Sequence, residues 1–163
     1  MDPLNREVLR AELTRDEGER LRVYRCTAGK RTIGVGRNLD DVGITPAETD
    51  ELKITTRSAI QKGITRAQSQ ALLDNDIDRV FRDLDRRLPW WRTLDPVRQR
   101  VLANMAFNLG IAGLAGFRNT LRFIREGNYS NAADNMLASK WARQVGDRAD
   151  RLATLMRLGP RKL

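Results

Sequence analysis

The sequence contains no histidine and one cysteine, Cys26. Without histidine there is no serine–histidine or cysteine–histidine nucleophile pair, and a conventional zinc site, which draws on several His or Cys ligands, is not expected. A single cysteine permits no internal disulfide, so the chain neither needs nor reveals an oxidising compartment. No apolar run approaches the roughly 20 residues of a membrane span. The first twenty residues carry too many charges for the apolar region of a signal peptide, so the chain is expected to be made as a soluble protein. What remains for hydrolysis is carboxylate chemistry, with no metal and no other cofactor.

Acidic residues are scarce toward the C-terminus. The 163 residues hold 30 Lys and Arg against 21 Asp and Glu, a net charge of +9. Residues 1–70 contain 13 basic and 11 acidic side chains, whereas residues 71–163 contain 17 and 10. Such a field favours a polyanion: nucleic acid, an anionic membrane face or an acidic cell-wall polymer. A basic surface that serves only solubility fits the composition equally well. The length suits one domain or two small lobes with a shared core.

Three chemically capable side chains, Glu17, Cys26 and Thr32, fall within one short helix-to-hairpin stretch. Asp2 and Pro3 read as a helix cap and first residue, and Gly18 as the residue just past the end. Leu4, Val8 and Ala11, with Leu9 and Leu13 beside them, predict one amphipathic helix over about 3–17. Glu17 then sits in the last turn, where the unsatisfied carbonyls disfavour a charged carboxylate, as a general acid working near neutrality requires. Beyond Gly18 the pattern alternates: Leu21, Val23 and Arg25 face one way, Arg22, Tyr24 and Cys26 the other. Thr27 to Lys30 reads as a turn, and the return strand sets Thr32, Gly34 and Gly36 opposite Arg31, Ile33 and Val35. With Cys26 roughly across from Thr32, the two share a face that Gly34 and Gly36 leave open.

The remainder reads as helical, which makes the fold class α+β. A polar turn spans 38–43, and Thr45-Pro46 opens a short helix to about Leu52. Thr65 and Gln68 form a capping box before a helix of some twenty residues. Pro89 stops it, and Asp95-Pro96 opens an apolar helix that Gly110, Gly113 and Gly116 interrupt. Helices follow at about 117–126, 130–143 and 147–158, with Ser130 and Asp147 as caps and Gly127 and Gly159 as stops. Trp90 and Trp91, at a helix end, read as packing anchors.

Arg15-Asp16-Glu17-Gly18 through Tyr24, Gly29 and Thr32-Ile33-Gly34-Val35-Gly36 closely resemble the active-site motif of the phage-type lysozymes, the muramidase family of T-even phage lysozyme. Asn104 to Gly110 with Gly113, Ala115 to Phe117 and Asn119 to Leu121 form a second match. Ala138 to Trp141 with Arg148-Ala149 form a third. The order and spacing hold over almost the whole chain.

The resemblance implies a lysozyme-like fold in one catalytic domain over 1–163. An N-terminal lobe with a short antiparallel hairpin or sheet would cover about 14–64, and a connecting helix about 65–87. A larger helical lobe would cover about 88–163, with helix 3–17 packing on it. It implies an endolysin that hydrolyses the β-1,4 bond between N-acetylmuramic acid and N-acetylglucosamine of peptidoglycan. Glu17 falls on the general acid and Thr32 on the threonine that holds the attacking water, which attacks with inversion. Position 26, aspartate in many members, is cysteine here. A thiol acts as base only when ionised, and Arg22, Arg25 and Arg31 are the neighbours able to promote that.

Phe107 and Asn108 lie where the family's helical lobe faces substrate, with Thr120, Trp141 and Gln144 nearby. Asn108 stands out because a buried amide needs partners. Position 37 is arginine where histidine is common, which changes a supporting contact and not the chemistry. The implied partners are peptidoglycan glycan strands and an anionic outer-membrane or wall surface, with no specific nucleic acid, for a monomer. Such a protein would be made in a host bacterial cytoplasm and reach the periplasmic wall after the membrane is permeabilised. Two other classes fit parts of the sequence: a helix-turn-helix DNA binder beginning at Ile64 to Leu72, and a membrane-active basic segment over Arg143 to Leu163.

Overall fold

The computed structural model describes residues 4–161. The chain divides into two units, one formed by Arg10–Asp78 and the other by Arg79–Leu163 with Met1–Leu9. The expected cap at Asp2 and Pro3 lies outside the described residues. Helix α1 occupies Arg6–Glu17, and Asn5 opens it. Its backbone takes φ 61°, and its Oδ1 accepts the Val8 amide at 3.2 Å, a conformation asparagine adopts more readily than most residues. Leu9 and Leu13, one turn apart, are the buried stripe; Val8 and Ala11 are exposed.

In the first unit, β1 (Arg20–Arg25), β2 (Arg31–Gly34) and β3 (Arg37–Asn38) form an antiparallel sheet in that order. The alternation expected in β1 holds for Leu21 and Val23, although the pairing with β2 is irregular between Arg20 and Tyr24. Leu21 and Val23 pack on a core of Ile33, Leu39, Ile54, Ala59, Ile64 and Leu72. The short β3 was not expected within the polar stretch. Asn38 ends it, its Oδ1 accepting the amides of Asp40 and Asp41 at 2.9 and 2.8 Å, so a turn-forming side chain doubles as a strand end.

Helix α2 (Pro46–Leu52) starts at a capping box formed by Thr45 and Glu48. Helix α3 (Thr56–Lys62) is an addition to the expected elements, although Thr55, Ser58 and Gly63 supply its box and its stop. At seven residues it is too short for apolar periodicity to reveal. Helix α4 (Arg66–Arg87) starts where expected: the Thr65 amide donates to Gln68 Oε1 at 2.9 Å, and the Gln68 amide to Thr65 Oγ1 at 3.1 Å.

Arg37 is the buried polar centre of this unit, only 2% exposed. Its Nη1 and Nη2 donate to Glu48 Oε1 and Oε2 at 2.8 and 2.7 Å, its Nε to Asp76 Oδ2 at 3.1 Å, and Nη1 also to the Gly43 carbonyl at 2.9 Å. Burial opposes both charges, yet each ends up favoured. Arg37 is held above its ordinary pKa by Glu48 and Asp76, and Glu48 falls to about 2 through bonds from Arg37, Asn75 and the Thr45 amide. A bidentate guanidinium–carboxylate pair with its remaining donors used is how a buried ion pair offsets desolvation.

The second unit is helical. After a 3-10 turn at Pro89–Thr93 come α5 (Pro96–Ala115), α6 (Arg118–Arg125), α7 (Tyr129–Leu137), α8 (Lys140–Val145) and α9 (Asp147–Leu158). Asp95 caps α5, residues 101–106 are buried all round, and Gly110 breaks the helix with φ 74° and ψ 160°. The single helix expected over 130–143 is two helices. Asn128, not Ser130, caps α7, and Ser139 caps α8 by accepting the Ala142 amide at 3.1 Å. Asp147 is the first residue of α9, preceded by Gly146.

Helix α7 packs on α6 and α9, and α5 on α9. Arg98 ties the last pair together at the end of α9, donating to the carbonyls of Met156 at 2.7 Å and Arg157 at 3.1 Å, groups that a helix end otherwise leaves unpaired. Trp91 packs as expected: it is fully buried, 5.6 Å from the Phe81 ring, and Nε1 donates to Asp85 at 2.8 Å. No single helix among the described residues is long and apolar enough to cross a membrane.

Candidate active site

Glu17 is the last residue of α1, half-buried, and its carboxylate lies against the backbone at Gly36. A Cβ on Gly36 would stand 2.6 Å from Glu17 Oε1, and Gly36 has φ +72°. Gly34, with φ +65°, has the Ser69 hydroxyl 3.1 Å from the corresponding point. The two glycines thus leave room, as expected, and the protein's own side chains use it.

The hairpin register differs from the expected one. The Gly29 amide donates to the Cys26 carbonyl at 2.8 Å, and the Cys26 amide to the Lys30 carbonyl at 2.9 Å. Three residues, the last a glycine at φ +79°, thus make the loop. Cys26 therefore sits across from Lys30, and the residue paired with Thr32 is Tyr24. Cys26 and Thr32 still share a face as diagonal neighbours.

Backbone hydrogen bonding at Lys30, joined by Ala28, holds the half-buried Cys26 below the ordinary thiol range, with burial opposing it. Of the three neighbouring arginines, Arg25 and Arg31, which the alternation turns away from Cys26, bond the Gly29 carbonyl and Asp40, each at 2.7 Å. Thr32 is buried, and its hydroxyl donates to the Lys30 carbonyl at 3.0 Å. That leaves the lone pairs of its oxygen to accept from a further donor.

Tyr24 is the member of this face that the motif reading passed over. Its pKa is raised, first by burial and then by the negative charge of Glu17, with Cys26 adding to the effect and Arg20 opposing it. The Arg20 guanidinium lies 4.6 Å from the ring centroid. Tyr24 is thus a neutral hydroxyl in the field of both Glu17 and Cys26. Its alternation with Arg22 and Cys26 was the available signal.

The four residues expected to bind substrate all lie in the helical unit. Thr120, buried, and Gln144, exposed, line one cavity of about 540 Å³ together with Phe117, Arg118, Lys140 and Trp141. Phe107 is half-buried and Asn108 exposed, and neither lines it. Asn108 is therefore not the buried amide the sequence reading made of it. Its Oδ1 accepts from Trp141 Nε1 at 2.7 Å and so fixes the indole, whose ring meets Phe117 edge-on at 6.0 Å. In the same unit Asn104 and Arg148, from two separate motif segments, are joined by a buried bond of 2.9 Å.

Among the described residues no three His, Cys, Asp or Glu side chains are grouped to hold a metal ion. The chemistry on hand is a carboxyl, a thiol of lowered pKa, a threonine oxygen with its proton committed, and a phenol in the field of two acidic groups. This set can protonate a leaving group and order a water.

A phage lysozyme family model matches residues 14–158. Probable T4-type lysozyme 1 of Dictyostelium discoideum is 28% identical over 153 residues, covering 88% of this chain and 90% of the relative. Probable T4-type lysozyme 2 of the same organism is 28% identical over 163 residues, covering 94% and 96%. The pre-baseplate central spike protein Gp5 of Enterobacteria phage T4 is 30% identical over 158 residues, covering 90% of this chain and 27% of that protein.

Proposed function

Because this chain belongs to the phage lysozyme family and is a lysozyme acting on peptidoglycan, we propose that it cleaves the β-1,4 bond between N-acetylmuramic acid and N-acetylglucosamine. Glu17 is the general acid that protonates the leaving oxygen. Water attacks the anomeric carbon directly, with inversion, and Thr32 accepts one of its hydrogens. Cys26, as thiolate, takes or orients the other in the place of a second carboxylate. The observation that carries this reading is the carboxylate of Glu17 seated on Gly36, with Tyr24 coupled electrostatically to both Glu17 and Cys26.

Residues 1–163 act as one catalytic domain. Thr120 and Gln144 bind from the cavity wall, Asn108 acts through Trp141, and Phe107 contributes a half-buried ring outside that wall. The net charge of +9 draws the enzyme, a monomer, to an anionic wall or outer-membrane surface without specific affinity for nucleic acid. A bacteriophage endolysin that is made in the host cytoplasm and lyses its host accounts for these properties together. Mass spectrometry of digested peptidoglycan tests the bond: new reducing ends on N-acetylmuramic acid support it, and reducing ends on N-acetylglucosamine exclude it.

A further inference from the structure

The segment that carries Glu17 is fixed to α4 on both sides of the acid. Downstream, the Glu19 carboxylate accepts two hydrogen bonds and an ion-pair contact from the first five residues of α4. Ser69 Oγ reaches Oε2 at 2.9 Å, Gln70 Nε2 reaches Oε2 at 2.6 Å, and Arg66 Nε lies 3.3 Å from Oε1. Upstream, Arg10 donates to the Gln70 carbonyl at 3.4 Å and pairs with Asp74. Gln70 thus holds both ends, its side chain engaging Glu19 and its carbonyl Arg10. Between the anchors, Gly18 turns the chain at φ +76°, and nothing stands within 4 Å of where its Cβ would be.

We propose that Glu19 and Gln70 form a positioning clamp that holds the Glu17 carboxylate in its seat on Gly36, with Ser69 linking the clamp to the sheet at Gly34. The inference rests on Glu17 being the proton donor. Ser69 is fully buried, bonds Glu19, and lies 3.1 Å from the Cβ position of Gly34. Ser69 thus borders the chain two residues before Gly36, where the acid rests. Fixing a carboxylate at the N-terminal turn of a helix is favourable in itself, since the amide dipoles there favour negative charge. Its consequence for catalysis is geometric: a displacement of about 1 Å of a reacting group costs up to about 100-fold in rate.

The test is steady-state kinetics on soluble, uncross-linked glycan strands, well below the melting temperature of every variant. Glu19→Ala is expected to lower kcat about tenfold, within that positional range, with KM and the far-UV circular dichroism unchanged. Gln70→Ala should do the same, and the double variant should fall no further than either single one. Glu19→Gln, which keeps an acceptor for Ser69 while losing the charge, should recover most of kcat. If Glu17→Gln is inactive while Glu19→Ala keeps wild-type kcat, or changes only KM or thermal stability, the clamp is refuted and the acid assignment stands. If Glu17→Gln keeps wild-type kcat, the acid assignment itself fails.

Discussion

The carboxylate of Glu17 occupies the space that a side chain at position 36 would need: a Cβ on Gly36 would stand 2.6 Å from Glu17 Oε1. Gly36→Ala must push the carboxylate away and also hold an alanine at φ +72°. The backbone conformation costs about 1–2 kcal/mol. Displacement of the acid should cost on the order of 100-fold in kcat. A Gly36→Ala enzyme with wild-type turnover would mean that this seat does not matter to the reaction.

Tyr24 is coupled to Glu17 and Cys26, and its raised pKa keeps the phenol protonated as a donor. Tyr24→Phe removes that donor and leaves the ring under Arg20. A loss of about tenfold in kcat is expected, the lower end for a positioned proton-bearing group, with little change in melting temperature. Unchanged kcat would make Tyr24 a packing residue.

Cys26 is held below the ordinary thiol range by the Lys30 backbone before any other influence. If its thiolate serves the water, activity rises with pH along a limb that lies below the range of a free cysteine, about 8.5. Cys26→Asp should stay active and move that limb to the carboxylate range near 4, whereas Cys26→Ala and alkylation should abolish it. An alanine variant with the wild-type pH profile would make the thiol structural.

Glu48 bears on acid stability. Its pKa is about 2 in the fold against 4.5 ordinarily, burial being outweighed by the bonds from Arg37, Asn75 and the Thr45 amide. Since the folded value is the lower one, this stabilisation is complete above pH 4.5 and is lost as pH falls toward 2. The melting temperature of wild type should fall through that window, and the difference from Glu48→Gln should shrink with it. At neutral pH, where Arg37 keeps Asp76 but loses one of its two charged partners, the variant should be destabilised by about 1–3 kcal/mol. A wild-type-minus-variant difference that is constant from pH 5 to 2 would contradict this.

Elements with strong local signals were legible in the sequence. The helix start at Thr45-Pro46, the capping box at Thr65, the Asp95 cap and the stop at Gly127 are chemistry between residues a few positions apart. The facing of Leu21 and Val23 followed from period-two alternation. The hairpin register did not, because three-residue and four-residue loops look alike at Thr27 to Lys30 until the hydrogen bonds at Cys26 are seen. Helix α7 ended earlier than expected because Ser139, a helix-compatible residue in sequence, caps α8 instead.

The Glu17 motif was visible, while the contacts around it were not. Ser69, Gln70 and Asp76 reach Glu19 and Arg37 across separations of 39 to 51 positions. No periodicity encodes such pairs. Arg37 read as a modest departure from a histidine, and only burial with two carboxylates makes it the centre of its unit.

The central claim is that Glu17 delivers the proton that breaks the glycan. Turbidity clearing of purified peptidoglycan by wild type and by Glu17→Gln, with both proteins shown to be folded, measures it directly. The account predicts clearing by wild type, with new reducing ends on N-acetylmuramic acid, and none above background with Glu17→Gln. Equal clearing by the two proteins would contradict it.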